Sequence, residues 1–168
     1  MKKLVLAVVF IGLVGCQQSK IGYVDNVKLM DDYQEKVDLE AKFKTRVEAF
    51  GKKRDSLQQA FQIEAQAFQN KAQKMAQKKA QEEYALLQQK SQFLGQQLQQ
   101  EEQQLQLASQ TEMDSLVSKV KKEIKAYGKA NGFSYILGGG DGGSVLYGTD
   151  TDDLTAAIAK ILNDNYKK

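Results

Sequence analysis

FKTRVEAFGKKRDSLQQAFQIEAQAFQNKAQKM, running from Phe43 to Met75, decides the fold of this chain. Within it Phe43, Val47, Phe50, Leu57, Phe61, Phe68 and Met75 follow alternating steps of four and three, with Arg54, Glu64 and Lys71 at the skipped places. Apolar residues at that spacing line one side of an α-helix and form the seam of a coiled coil. A second stripe returns through Tyr84, Leu87, Leu94, Leu98, Leu105 and Ala108, interrupted by Ser91 and Glu101. After Leu105 the phase slips into a denser stripe of Met113, Leu116, Val117, Val120, Ile124 and Tyr127. A slip of this kind is a local change of supercoil. With no proline anywhere, the region from Asp31 to Asn131 reads as one long antiparallel helical hairpin.

The bend of the hairpin falls where the periodicity is weakest, at residues 76–83. Gly95 is the rival position. It sits inside a leucine stripe, however, and an isolated glycine in a helix is tolerated at about 1 kcal/mol. A bend near Lys78 gives each arm roughly 45 residues, hence about 65–70 Å at 1.5 Å per residue. Nineteen glutamines fall between Gln58 and Gln110. A Gln/Lys/Glu/Ala mixture favours helix and, at this period, a coiled coil.

Short β-like segments flank the hairpin. Ile21-Gly22-Tyr23-Val24 reads as a strand. Asp25 or Asn26 caps a helix that starts at Val27 and either pauses near Asp31-Asp32 or continues. Gly128 and Gly132, with Asn131 between them, end the helical region. Phe133 to Leu137 is a second strand and Val145-Leu146-Tyr147 a third. The glycine-rich segment between them, 138–143, is a flexible turn. It lacks the Gly-Lys-Ser/Thr of a phosphate loop, and it is a single copy where a calcium-binding β-roll needs several. Thr151 or Asp152 then caps a last helix whose face is Leu154, Ile158, Ile161 and Leu162. Three short strands and one amphipathic helix leave sheet edges open and bury little, so association of several copies through the β segments is expected.

The chain has 168 residues, room for one domain. It opens with Met1-Lys2-Lys3 and an apolar run from Leu4 to Val14. That run is too short to span a bilayer and has the form of a signal peptide. It ends Leu13-Val14-Gly15-Cys16, which resembles a bacterial lipobox, with the only cysteine of the chain at the position the motif requires. Ordinary secretion with a free thiol left over is the blander alternative, and the place of the cysteine favours the lipobox. Several acyl chains on Cys16 would hold the protein firmly to a membrane, where one chain binds only marginally. The expected organisation is a signal peptide over 1–15, a lipidated tether over 16–20, a β-containing body over 21–33 and 132–168, and an arm over 34–131. Loss of residues 1–15 removes two lysines and no acid, so the formal charge falls from +3 to +1. A near-neutral chain is a poor nucleic-acid binder.

The chain contains no histidine, so the commonest general base and metal ligand are missing. No nucleophile stands beside a base, and no His/Cys cluster or evident carboxylate pair is present. Neither catalysis nor a cofactor is expected. A metal site at Asp150, Asp152 and Asp153 has little to recommend it, since these acids suit the dipole of the last helix.

The order of strand, capped helix, long Gln-rich hairpin, β segments and closing helix resembles the Skp (OmpH) family of periplasmic chaperones. The residues that carry the resemblance are Ile21-Gly22-Tyr23-Val24-Asp25 with Tyr33 downstream, Gly132-Phe133-Ser134-Tyr135-Ile136-Leu137, and Asp153-Leu154-Thr155 with Ile158 and Leu162. The resemblance implies a homotrimer whose body is a β-barrel shared by three chains. Ile21, Tyr23, Val24, Phe133, Tyr135, Leu137, Val145, Tyr147, Leu154 and Ile158 would build that body. It implies arms that hold unfolded outer-membrane proteins without ATP. With the lipobox, the expected setting is the cell envelope of a Gram-negative bacterium, the protein lipid-anchored in the outer membrane and facing the periplasm. Cys16 departs from the family's usual soluble form, and the arms are less basic than is usual for it.

Lys71, Lys74, Lys78 and Lys79, with Met75, mark the expected tip as a contact for anionic lipid headgroups or acidic client segments, against a merely solvated helix end. The seam phenylalanines are packing residues. Client contact is expected instead at the off-seam Ile63 and Phe93, although single exposed apolar residues are common. The other reading of the whole is a structural lipoprotein whose coiled-coil arms space the envelope.

Overall fold

The computed structural model describes residues 19–167. The signal segment and Cys16 lie outside them. The elements in order are β1 (Ile21–Asp25), α1 (Asn26–Asp31), α2 (Gln34–Ala72), α3 (Gln77–Ala130), β2 (Tyr135–Gly139), a 3-10 turn (Asp150–Asp152) and α4 (Thr155–Tyr166). They fall into two compact units, residues 19–32 with 122–162, and residues 33–121 with 163–167.

In the first unit β1 pairs with β2 in parallel, in the register Ile21↔Tyr135, Tyr23↔Leu137 and Asp25↔Gly139. Parallel neighbours cannot be joined by a tight turn and need a long crossover. Here that crossover is the whole helical excursion. Val24, Leu29, Leu154, Ile158, Ala159 and Leu162 are buried and form the core of this unit. Gly22 allows it to close. A Cβ there would stand 2.6 Å from Leu154 Cδ1 and 2.9 Å from Phe133 Cε1.

Side-chain caps fix the helix starts of this unit. Asp25 Oδ1 accepts from the backbone N–H groups of Val27 and Lys28, each at 3.0 Å. Asp153, not Thr151 or Asp152, caps α4, accepting from Thr155 N at 2.8 Å. The buried Thr155 hydroxyl in turn accepts from Asp25 N at 2.9 Å, which ties β1 to α4.

The expected third strand at Val145–Tyr147 does not form. Its only ladder contact is an isolated bridge from Val145 to Gly139, with Val145 N donating to Gly138 O at 3.1 Å. The positive φ of Gly140 and Gly142 turns the chain sharply before it, and Leu146 and Tyr147 are 99% and 86% exposed. The second strand also lies two residues later than expected, at Tyr135–Gly139.

In the second unit α2 and α3 form the antiparallel hairpin. The helix does pause between α1 and α2, because Tyr33 is extended at φ −86° and ψ 110°. The 39 and 54 residues of α2 and α3 correspond to about 58 and 81 Å. Gln73–Ala76 make the turn, earlier than the expected 76–83: residues 77–83, Lys78 among them, already belong to α3. Phe43 and Phe50 are buried, as are Leu116 and Val120 on the returning helix. Farther out the seam is thinner, and Leu57, Phe61, Phe68, Leu87, Leu94, Leu98 and Leu105 are half-buried.

Several places of the seam differ from the heptad reading. Ala65 and Ala72 point inward, while Glu64 and Lys71 are exposed. A helix of 3.6 residues per turn drifts against a repeat of 3.5, so the inward position arrives one residue late. Val47 and Tyr84, both expected in the seam, are 58% and 52% exposed. The last residues of the described chain join this unit. Asn163 Oδ1 accepts from Gln34 N at 2.8 Å, supplying the cap that Tyr33 does not, and Tyr166 OH donates to Asp38 Oδ2 at 2.9 Å.

Candidate interaction surfaces

Among the described residues no group of three His, Cys, Asp or Glu side chains is placed to hold a metal, and no helix is long and apolar enough to cross a membrane. The surfaces that remain are those of the body and of the arm.

The body residues singled out by sequence separate into two groups. Val24, Leu154 and Ile158 are internal. Phe133 is half-buried, stacked on Tyr127 at 6.1 Å, with Lys20 Nζ 4.1 Å above its ring. Ile21, Tyr135, Leu137 and Tyr147, by contrast, are exposed. Ile21, Tyr23, Leu137, Val145 and Tyr147 line one open apolar groove of about 490 Å³, together with Leu146. The phenol of Tyr23 is pushed above its usual pKa by desolvation and then by the carboxylates of Asp153, Asp150 and Asp152.

The arm carries a ladder of ion pairs along one side. Lys42 Nζ lies 2.6 Å from Glu112, with Arg46 3.8 Å from the same carboxylate. Lys53 Nζ lies 2.5 Å from Glu101. Glu35 pairs with Lys119 and Glu64 with Lys90. From Glu35 the rungs on α2 advance by 7, 11 and 11 residues, and their partners step back along α3 by the same amounts. Burial by itself raises the Glu35 carboxyl, but hydrogen bonds from Lys119 and Tyr33 and the Lys119 charge hold it below the usual range. Glu35, Asp38, Lys42, Glu112, Lys119 and Tyr166 line a crevice of about 330 Å³ at the root of the arm. Its three carboxylates and two lysines are taken up largely by pairing with one another, Glu35 with Lys119 and Glu112 with Lys42.

Ile63 and Phe93 are each 63% exposed, off the seam as expected. Leu86 and Leu107 are equally open, and sequence reading missed them. Their signal was available: Leu86 and Phe93 stand one heptad apart, each directly before a seam leucine. Lys71, Lys74, Lys78 and Lys79 are exposed around the turn and make no ion pair among the described residues, and Met75 is half-buried there. The ladder was missed as well, because pairing across two helices needs their register, which no local spacing provides.

These features define a class: α+β proteins in which a long helical hairpin is the excursion between two parallel strands of a small body. The chain belongs to the OmpH-like family, whose model, described as outer membrane protein (OmpH-like), matches residues 20–162. A solved structure from Caulobacter crescentus CB15, described as a candidate outer membrane chaperone (OmpH-like), matches with a TM-score of 0.77. The match has 18% identity and covers 94% of this chain and 91% of that chain. At that identity the likeness speaks for the fold. Among curated proteins none matches.

Proposed function

We propose that this protein is an ATP-independent holdase that keeps unfolded outer-membrane proteins soluble between its arms. Membership of the OmpH-like family supports a chaperone role. The observation that carries the finer reading is the arm itself, which bears Ile63, Leu86, Phe93 and Leu107 open to solvent. Contacts of this kind are weak singly and effective when several act together. Ile63 and Phe93 take client side chains. The lysines at the turn give each arm a basic end for anionic headgroups or acidic client segments, an attraction screened beyond about 8 Å at physiological salt.

The body closes by assembly of three copies. The apolar groove at Ile21, Leu137 and Tyr147 and a sheet of only two strands support this, since a lone pair of strands is marginal in water. Cys16 carries the lipid anchor and 16–20 the tether, which keeps the protein in the envelope. Replacing Cys16 with Ser is expected to abolish incorporation of a fatty-acid label.

The decisive experiment uses a form that begins at Gln17. Its mass in solution is measured alone and with a urea-unfolded β-barrel protein. The expected result is a trimer that keeps the barrel protein soluble at near-stoichiometric amounts. A monomer that binds no unfolded protein sinks the proposal. A trimer that ignores unfolded protein and captures one fixed folded partner points instead to an envelope spacer.

A further inference from the structure

The glutamines of the arm are sorted onto one side. On α2, Gln62, Gln66 and Gln73 directly follow the seam residues Phe61, Ala65 and Ala72. On α3, Gln81, Gln88 and Gln92 directly follow Ala80, Leu87 and Ser91, the last a polar place in the seam. In an antiparallel pair of right-handed helices, residues that follow the seam on both helices share one side, and residues that precede it share the other. The ladder occupies the preceding side, since Lys42 precedes Phe43, Glu64 precedes Ala65 and Lys119 precedes Val120.

The register set by Glu64 and Lys90 brings these glutamines level in pairs. Gln62 lies two residues before Glu64, and Gln92 lies two after Lys90. By the same count Gln66 is level with Gln88 and Gln73 with Gln81. All six are exposed. Gln88 Nε2 donates to Tyr84 OH at 3.0 Å. The side chains of the other five make no hydrogen bond among the described residues. From Gln58 to Gln99 no charged residue directly follows a seam position. Gly95, which follows Leu94, adds a notch with nothing within 4 Å of where a Cβ would stand.

We propose that this glutamine face holds the main chain of an unfolded, uncharged polypeptide segment. The inference rests on the holdase reading and adds, to the apolar contacts of Ile63 and Phe93 on the other side, a second face and what it recognises. A primary amide offers two donors and an acceptor, the same groups that a peptide main chain presents. In a folded protein those main-chain groups are already paired, so the face distinguishes unfolded from folded chain without reading sequence. Phosphate-bearing partners find no cation on it to neutralise them. Each amide contact replaces one to water and is weak, so three level pairs act by number. The notch at Gly95 lets a backbone approach closely.

The test uses the full chain in detergent and a labelled, urea-unfolded barrel protein. The variants are Gln66→Glu with Gln88→Glu, and Gln66→Lys with Gln88→Lys. Ser56→Glu with Gln104→Glu places the same charge on the ladder side, a heptad or more from Ile63 and Phe93. Both glutamine-face variants are expected to weaken binding about tenfold whatever the sign, and the ladder-side variant less than about twofold. A photoreactive residue at position 92 in the otherwise unchanged chain should cross-link to client, which decides the matter if a charge variant fails to fold. If the chain binds client and the face variants bind equally well, the face is wrong while the holdase reading stands. If the unaltered chain binds no unfolded protein, both fall. Tighter binding by the lysine pair, or cross-linking only to a second copy or to lipid, also overturns the proposal.

Discussion

Lys53 Nζ stands 2.5 Å from Glu101 Oε2, and this contact belongs to a set that permits only one alignment of the arm. The acid is on α2 at Glu35 and Glu64 but on α3 at Glu101 and Glu112. A slide of one heptad in one direction sets Lys42 against Lys119. In the other direction it sets Glu35 against Glu112. The seam tolerates such slides, because its apolar residues repeat. The charges do not. Exposed pairs add little stability one by one, so the ladder acts by penalising wrong registers.

Reversing one rung should therefore cost little, and reversing both partners should restore it. Lys53→Glu is expected to lower the stability of the arm by up to about 1 kcal/mol. Lys53→Glu with Glu101→Lys should recover most of it. Thermal unfolding followed by circular dichroism, at low and high salt, gives the coupling. A coupling that does not shrink with salt would deny the pair its electrostatic origin.

The buried end of the seam should dominate the arm's stability. Phe50 is buried and Val47, three residues away, is mostly exposed. Phe50→Ala is expected to cost about 3 kcal/mol, and Val47→Ala less than about 0.5 kcal/mol. Chemical denaturation of the two variants separates these values. Equal losses would mean that the heptad reading of Val47 as a seam residue describes the molecule in solution.

Much of this arm is legible in sequence because a helix writes its neighbours into its own spacing. Phe43, Phe50, Leu94 and Leu98 announce their side by period alone. Ala65 and Ala72 did not, since small residues carry little periodic signal and the drift of the helix passes the seam to them from Glu64 and Lys71. The parallel pairing of Ile21 with Tyr135 is invisible to local spacing, because its partners are more than a hundred residues apart. The segment at Val145–Tyr147 has strand composition, yet strand formation needs a partner edge, and Tyr147 finds none among the described residues. Of the interaction surfaces, Ile63 and Phe93 could be read as off-seam residues. The glutamine face needed the register.

Acid should loosen the root of the arm through Glu35. Hydrogen bonds from Lys119 and Tyr33 hold this carboxyl below its ordinary value of 4.5 in the folded protein. A depressed carboxylate adds stability that is fully present above the unfolded value and is lost as pH falls through the folded one. The arm should thus unfold at lower temperature on acidification below 4.5, and Glu35→Gln should remove that part of the pH dependence. Melting curves of both proteins from neutral pH down to about pH 3 test it. Parallel curves over the whole range would exclude Glu35 as the titrating group.

Two glycines should respond to alanine with opposite sign. A Cβ at Gly22 would stand 2.6 Å from Leu154 Cδ1 and 2.9 Å from Phe133, two side chains packed against the strand. Either the leucine moves out of the core or β1 moves off β2, and overpacking of this kind costs about 1–3 kcal/mol. At Gly95 nothing lies within 4 Å of the added methyl group, and the residue is in the middle of α3. Alanine there relieves the conformational entropy of a helical glycine and should stabilise by about 1 kcal/mol. Differential scanning calorimetry of Gly22→Ala and Gly95→Ala should show shifts in opposite directions. The notch at Gly95 also belongs to the glutamine face, so Gly95→Ala should weaken the hold on unfolded protein while raising the melting temperature. A variant that melts higher and binds just as tightly would show that the glycine is a tolerated weakness of the helix with no part in binding.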